Sequence, residues 1–167
     1  MISFSKGLAG FMLAVSALVL GGCATPVRPT TAASPRQDVW TGRMALQVEG
    51  NASESFSAGF ELKGNARTGD LTLFTPLGST LAVLSWAPGA ATLRASGKTR
   101  QFDSVDTLAE EATGTPIPVA ALFDWLSGAN TQVPGWETDL SQLPQGRLRA
   151  RRVSPPPQAD LRVAFDH

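Results

Sequence analysis

The chain has 167 residues, with 14 basic and 14 acidic side chains, 43% hydrophobic residues, one cysteine, one histidine and no tyrosine. Balanced charge gives no support for nucleic-acid binding as the main task, and a lone cysteine excludes an intramolecular disulfide framework. The single histidine, His167, leaves no cluster for a metal centre and, at the end of the sequence, is a poor base for nucleophilic catalysis.

The first segment has one positive charge at Lys6, an apolar run from Gly7 to Leu20, and the small pair Gly21-Gly22 before Cys23. This layout predicts an export signal. The uncharged run of about 14 residues is short of the ~18 to 20 needed to span hydrocarbon, which argues against a transmembrane helix. Residues 1–22 are therefore expected to be a cleaved lipoprotein signal peptide, with Cys23 acylated and exposed as the new N-terminus. In an exported protein a free thiol would be reactive, and acylation removes it. Ala24 stands where an Asp would signal inner-membrane retention, so the outer membrane, facing the periplasm, is the expected location. Residues 23–37, rich in Pro, Thr, Ser and Ala, predict a flexible tether.

Residues 38–167 are about 130 residues, enough for one domain with a real core. Alternating apolar residues predict antiparallel strands: Met44, Leu46 and Val48; Phe56, Ala58, Phe60 and Leu62; Leu71 and Leu73. A further strand over 80–86 has Leu81 and Val83 on one face and Leu84 and Trp86 on the other. Thr92 to Ala95 and Arg100 to Phe102 fit a hairpin around Ser96-Gly97-Lys98, and the short turns predict a meander.

The period then changes. Val105 to Thr113 predicts a short helix, with Ser104 or Asp103 as N-cap and Gly114 as its stop. Pro118 opens a second helix to about Ser127, on which Val119, Leu122, Phe123 and Leu126 form one apolar stripe. Strands over 147–153 and 161–165 follow, separated by Pro155-Pro156-Pro157. The expected class is α+β: an antiparallel sheet whose apolar face is covered by short helices. That face either packs as an ordinary core or encloses a cavity for something apolar; the small residues Ala45, Ala58, Ala82, Ala120 and Ala121 suit a void but do not decide it.

Two surface features have similar alternatives. Thr75-Pro76-Leu77-Gly78-Ser79 places Leu77 at a hairpin tip, either as a lone exposed apolar residue or as one meant to meet a lipid chain or bilayer. In the run from Arg147 to Arg152, the side chains of Arg147, Arg149 and Arg151 share a strand face. They are either a solvated surface or a patch for phospholipid headgroups or an acidic rim on a partner. Arg43 has the same choice between plain surface charge and a polar contact near a cavity.

These residues carry a family resemblance. The lipobox, the strand Trp40-Thr41-Gly42-Arg43-Met44-Ala45-Leu46, the run Leu73-Phe74-Thr75-Pro76-Leu77-Gly78-Ser79-Thr80, and Ala112-Thr113-Gly114-Thr115-Pro116-Ile117-Pro118 followed by Leu122-Phe123-Asp124-Trp125-Leu126-Ser127-Gly128 resemble, in order and spacing, the LolB family of outer-membrane lipoprotein receptors. The chain departs from better-known members in being shorter after the second helix and in lacking tyrosine. The resemblance implies an incomplete antiparallel β-barrel capped by short helices over an apolar cavity. It implies a receptor that takes triacylated lipoproteins from a LolA-like periplasmic carrier and inserts them into the outer membrane, with Pro76, Leu77 and Gly78 as the membrane-insertion loop. The implied partners are that carrier, the acyl chains of lipoproteins and outer-membrane phospholipid. No cofactor and no nucleic acid are expected, and the protein is expected to act as a monomer. Acyl-cavity candidates are taken from strand and helix faces: Met44, Leu46 and Val48; Phe56, Phe60 and Leu62; Leu71 and Leu73; Leu122, Phe123 and Leu126. Arg43, Arg147, Arg149 and Arg151 are the candidate polar or rim contacts.

Enzymatic function finds no support: there is no Gly-x-Ser-x-Gly elbow, and Gly97-Lys98-Thr99 lacks the first glycine of a P-loop because position 92 is Thr. No catalytic or metal-ligating residue is assigned. The remaining alternative is a structural lipoprotein that scaffolds an envelope assembly machine, with a filled core and no cargo.

Overall fold

The computed structural model describes residues 38–50, 52 and 54–166. The expected signal peptide, Cys23, the tether over 23–37 and His167 lie outside the described residues. Nine strands form one sheet, antiparallel at every pairing: β1 (Asp38–Val48), β2 (Phe56–Gly64), β3 (Gly69–Phe74), β4 (Thr80–Ala87), β5 (Ala90–Ala95), β6 (Lys98–Phe102), β7 (Trp136–Asp139), β8 (Arg147–Arg152) and β9 (Ala159–Phe165). Their order is β6-β5-β4-β3-β2-β1-β9-β8-β7, so β6 and β7 are the two edges and the sheet is not closed. The first six strands are a meander. The last three form a second meander whose final strand returns to pair with β1.

Period-two alternation sets the two faces of the sheet. On β1, Met44, Leu46 and Val48 are buried while Arg43 and Gln47 are exposed; on β9, Leu161, Val163 and Phe165 are buried while Arg162 and Ala164 are exposed. Close pairing of these strands depends on Gly42, because a Cβ there would run into the Ala164 carbonyl and stand 2.7 Å from the Phe165 Cα.

Two helices cover the inner face: α1 (Val105–Thr113) and α2 (Val119–Leu126). Ser104 caps α1 by accepting the Thr107 N–H at 3.1 Å, and Gly114 ends it in the left-handed region with its own N–H donating to the Glu110 carbonyl. This helix lies over β5 and β6 and touches α2. Helix α2 buries more than the expected stripe, since Ala121 and Trp125 are buried with Val119, Leu122, Phe123 and Leu126. Its Phe123 meets Trp40 and Trp86 edge-on, with centroids 5.6 and 6.1 Å away, while Trp125 tilts against Trp136 of β7 at 6.1 Å.

Several local expectations are corrected. Strand β7 is additional, β1 begins at Asp38, two residues before Trp40, and β9 begins at Ala159 rather than Leu161. Ala45 belongs to the outer face and Ala120 to the exposed side of α2, so only Ala58, Ala82 and Ala121 of the five small residues are core.

Candidate functional site

Between the inner faces of β1–β6 and the two helices is a cavity of about 370 Å³. Its wall is almost wholly apolar. Met44 of β1, Phe56 and Leu62 of β2, and Leu71 and Leu73 of β3 border it from the sheet, and Leu122 borders it from α2. These six were legible from their faces. Further apolar residues that were not among the cavity candidates also border it: Ala82, Leu84 and Trp86 of β4, Leu93 and Ala95 of β5, Val105 and Ala109 of α1, Ile117 ahead of α2, Val119 at its first position, and Leu161 of β9. The other candidates, Leu46, Val48, Phe60, Phe123 and Leu126, are buried but do not border the cavity. The Phe123 ring, for one, is taken up by Trp40 and Trp86.

The charged side chains at the cavity are Glu54, Arg100 and Glu111. Arg100 on edge strand β6 donates to Glu111 on α1 at 2.9 Å, and its guanidinium stands 5.0 Å from the centre of the Phe102 ring. Both partners are about half exposed, which makes the pair a weak fastening of the roof to the sheet edge. Glu54 enters from the β1–β2 connection and lies against Gly114, where any side chain would collide with its carboxylate.

Leu77 occupies the tip of the β3–β4 hairpin. The Gly78 N–H donates to the Thr75 carbonyl at 2.9 Å, the Thr75 N–H donates to the Ser79 carbonyl at 2.8 Å, and the Ser79 N–H donates to the Thr75 hydroxyl at 3.2 Å. Gly78 supplies the positive φ that this turn needs, and Pro76, immediately before Leu77, brings the fixed φ that suits the turn's second position. The result is a leucine 95% exposed on a well-bonded loop.

Arg43, Arg147, Arg149 and Arg151 are exposed on the outer face of the sheet, and none borders the cavity. The cause is strand parity: Met44, Leu148 and Ala150 take the inward positions. Asp160 of β9 is shared by Arg149, whose Nε and Nη2 donate at 2.8 and 2.6 Å, and Arg162, whose Nε and Nη2 donate at 3.1 and 2.6 Å. The Arg149 hydrogen bond leads in lowering the Asp160 pKa from 3.8 to about 2; desolvation opposes it and Arg162 reinforces it.

The family described as Outer membrane lipoprotein LolB matches residues 39–155. Curated proteins named Outer-membrane lipoprotein LolB are similar to the chain across most of its length. The one from Cupriavidus necator is 38% identical over 152 residues, covering 86% of this chain and 74% of the relative. The one from Cupriavidus taiwanensis is 37% identical over 150 residues, covering 86% and 72%. The one from Bordetella petrii is 36% identical over 122 residues, covering 71% of this chain but only 61% of the relative's length. With the family match over 39–155 and identities of this size, the chain belongs to the LolB family.

Proposed function

We propose that this protein is an outer-membrane receptor, anchored through acylated Cys23 and facing the periplasm, that accepts triacylated lipoproteins from a LolA-like carrier and inserts them into the membrane with the exposed Leu77 of the β3–β4 hairpin turned toward the bilayer. The observation that carries the reading is the apolar cavity roofed by two helices in a member of this family. Three acyl chains left in water would cost tens of kcal/mol at ~0.8 kcal/mol per methylene, so a lipoprotein must pass from one apolar enclosure to another. No nucleotide is required, because a difference of ~1.4 kcal/mol between donor and acceptor already gives a tenfold bias.

The roof over this cavity is lightly fastened: α1 is tied to the edge strand β6 by the Arg100–Glu111 pair, which is half exposed and so offers little resistance to a movement of α1 that would enlarge the space for acyl chains.

The test is transfer of a triacylated lipoprotein from a preformed carrier complex to the purified protein without ATP. Transfer supports the receptor. A folded protein that takes no cargo from a cognate carrier and binds no apolar dye is the envelope scaffold instead.

A further inference from the structure

On the outer face, the register of five strands brings one transverse row together. Phe74 of β3 pairs with Gly59 of β2, Gly59 with Arg43 of β1, Arg43 with Ala164 of β9, and Ala164 with Arg147 of β8. At the usual strand spacing the two arginine positions are about 10 Å apart, separated only by an alanine. With Gly59 and Ala164 as its floor, the row opens into a groove of about 610 Å³ that is flanked by Arg43 and Arg147 and bordered by Phe74. Among the described residues neither arginine has an ion pair or a side-chain hydrogen bond. The acidic groups bordering the groove are Glu61, which is engaged by Lys63 at 2.6 Å, and Asp166.

The charge here runs against the domain as a whole. Lys6, Arg28 and Arg36 precede residue 38 and no acid does, so residues 38–166 carry 11 basic against 14 acidic side chains. Despite that deficit, Arg43, Arg147, Arg149, Arg151 and Arg162 all project from the outer face of β1, β8 and β9. Arg149 and Arg162 share the single carboxylate of Asp160, so that trio stays net positive.

We propose that the groove between Arg43 and Arg147 binds the phosphates of anionic phospholipid headgroups at a bilayer surface. Guanidinium forks match phosphate oxygens bidentately. A bilayer fits better than an acidic protein because the row begins at Phe74, the residue from which the chain passes directly into the hairpin bearing Leu77. An exposed apolar tip beside free cations is the pairing used by segments that sit in a membrane interface. Each arginine near an anionic surface is worth about a fivefold gain in occupancy. The inference rests on the reading above insofar as Leu77 faces the membrane, and it adds a headgroup contact which that reading does not contain.

The experiment uses the full-length acylated protein reconstituted in vesicles of phosphatidylethanolamine with about a third phosphatidylglycerol, with a photoreactive amino acid in place of the exposed Ser57, which borders the same arginine surface as Arg43, Arg147 and Arg162. Adducts should be enriched several-fold in phosphatidylglycerol over its share of the lipid. Substituting Arg43→Gln and Arg147→Gln together should return them to that share, with the thermal midpoint unchanged. In the unsubstituted protein, 0.5 M salt should do the same, because it shortens screening to a few ångströms. Enrichment that survives salt or the double substitution overturns the proposal, as does the absence of enrichment. So does preferential crosslinking to the carrier when both are present. Cargo transfer measured on the same vesicles separates the two readings: transfer without enrichment sinks only the headgroup site, and enrichment without transfer sinks only the receptor.

Discussion

A leucine 95% exposed on a hairpin tip gains nothing for folding, and its loop is held by backbone bonds rather than by its side chain. Leu77→Glu should therefore leave the thermal midpoint and cargo uptake unchanged while cutting incorporation of cargo into vesicles at least tenfold; equal incorporation by the variant would remove the role proposed for the loop. Asp160 gives a prediction of a different kind. Its folded pKa of about 2 lies below the ordinary 3.8, so its contribution to stability is complete above pH 3.8 and is lost as the pH falls through about 2. Because both guanidiniums stand half in solvent, screening reduces that contribution to about 1 kcal/mol. Thermal melts of the wild type and Asp160→Asn should differ at pH 5 and converge by pH 2. Curves that stay parallel across that window would mean that the ion pairs do not contribute to the fold.

Elements differed in how far sequence exposed them. Helix α1 runs over Val105–Thr113 as expected, because its cap at Ser104 and its stop at Gly114 are local signals. The hairpin of β5 and β6 was equally visible, since Ser96 and Gly97 both have positive φ, the geometry of the tight hairpin turn. Strand β7 was not visible: four residues, Trp136–Asp139, show little alternation, and their pairing is fixed by β8 and not by any local pattern. The return of β9 to β1 is also non-local, and Gly42 is its least replaceable member. Gly42→Ala should cost about 1 to 3 kcal/mol in urea unfolding, because the added Cβ meets backbone, which has no rotamer by which to escape. A loss under 0.5 kcal/mol would show that β9 can shift outward freely.

For the molecule as a whole, the α+β class and the open, helix-covered sheet follow from two hydrophobic periods in succession, but the cavity does not. Periodicity assigns a side chain to a face; whether that face meets a neighbour or a void depends on how far α1 and α2 stand from the sheet. This is why Leu71 and Leu122 border the space while Leu46 and Leu126, equally apolar, are packed away from it. Ala82 is a buried cavity residue small enough to allow a filling test. Ala82→Phe should weaken binding of an apolar dye about tenfold, a difference of ~1.4 kcal/mol. Ala120→Phe, on the exposed side of α2, should leave dye binding unchanged. Equal binding by both variants would place the dye elsewhere.

An unclosed sheet also has ends. The edges at β6 and β7 present backbone N–H and C=O groups that could template another chain, and the proposed lipid anchor, by confining molecules to a plane, would bring such edges together more often than free solution does. Both ends are guarded. Strand β6 exposes Lys98 and Arg100, while β7 has only four residues and exposes Glu137 and Asp139. The openness that leaves room under the helices is thus kept from becoming a route to polymerisation by short, charged margins.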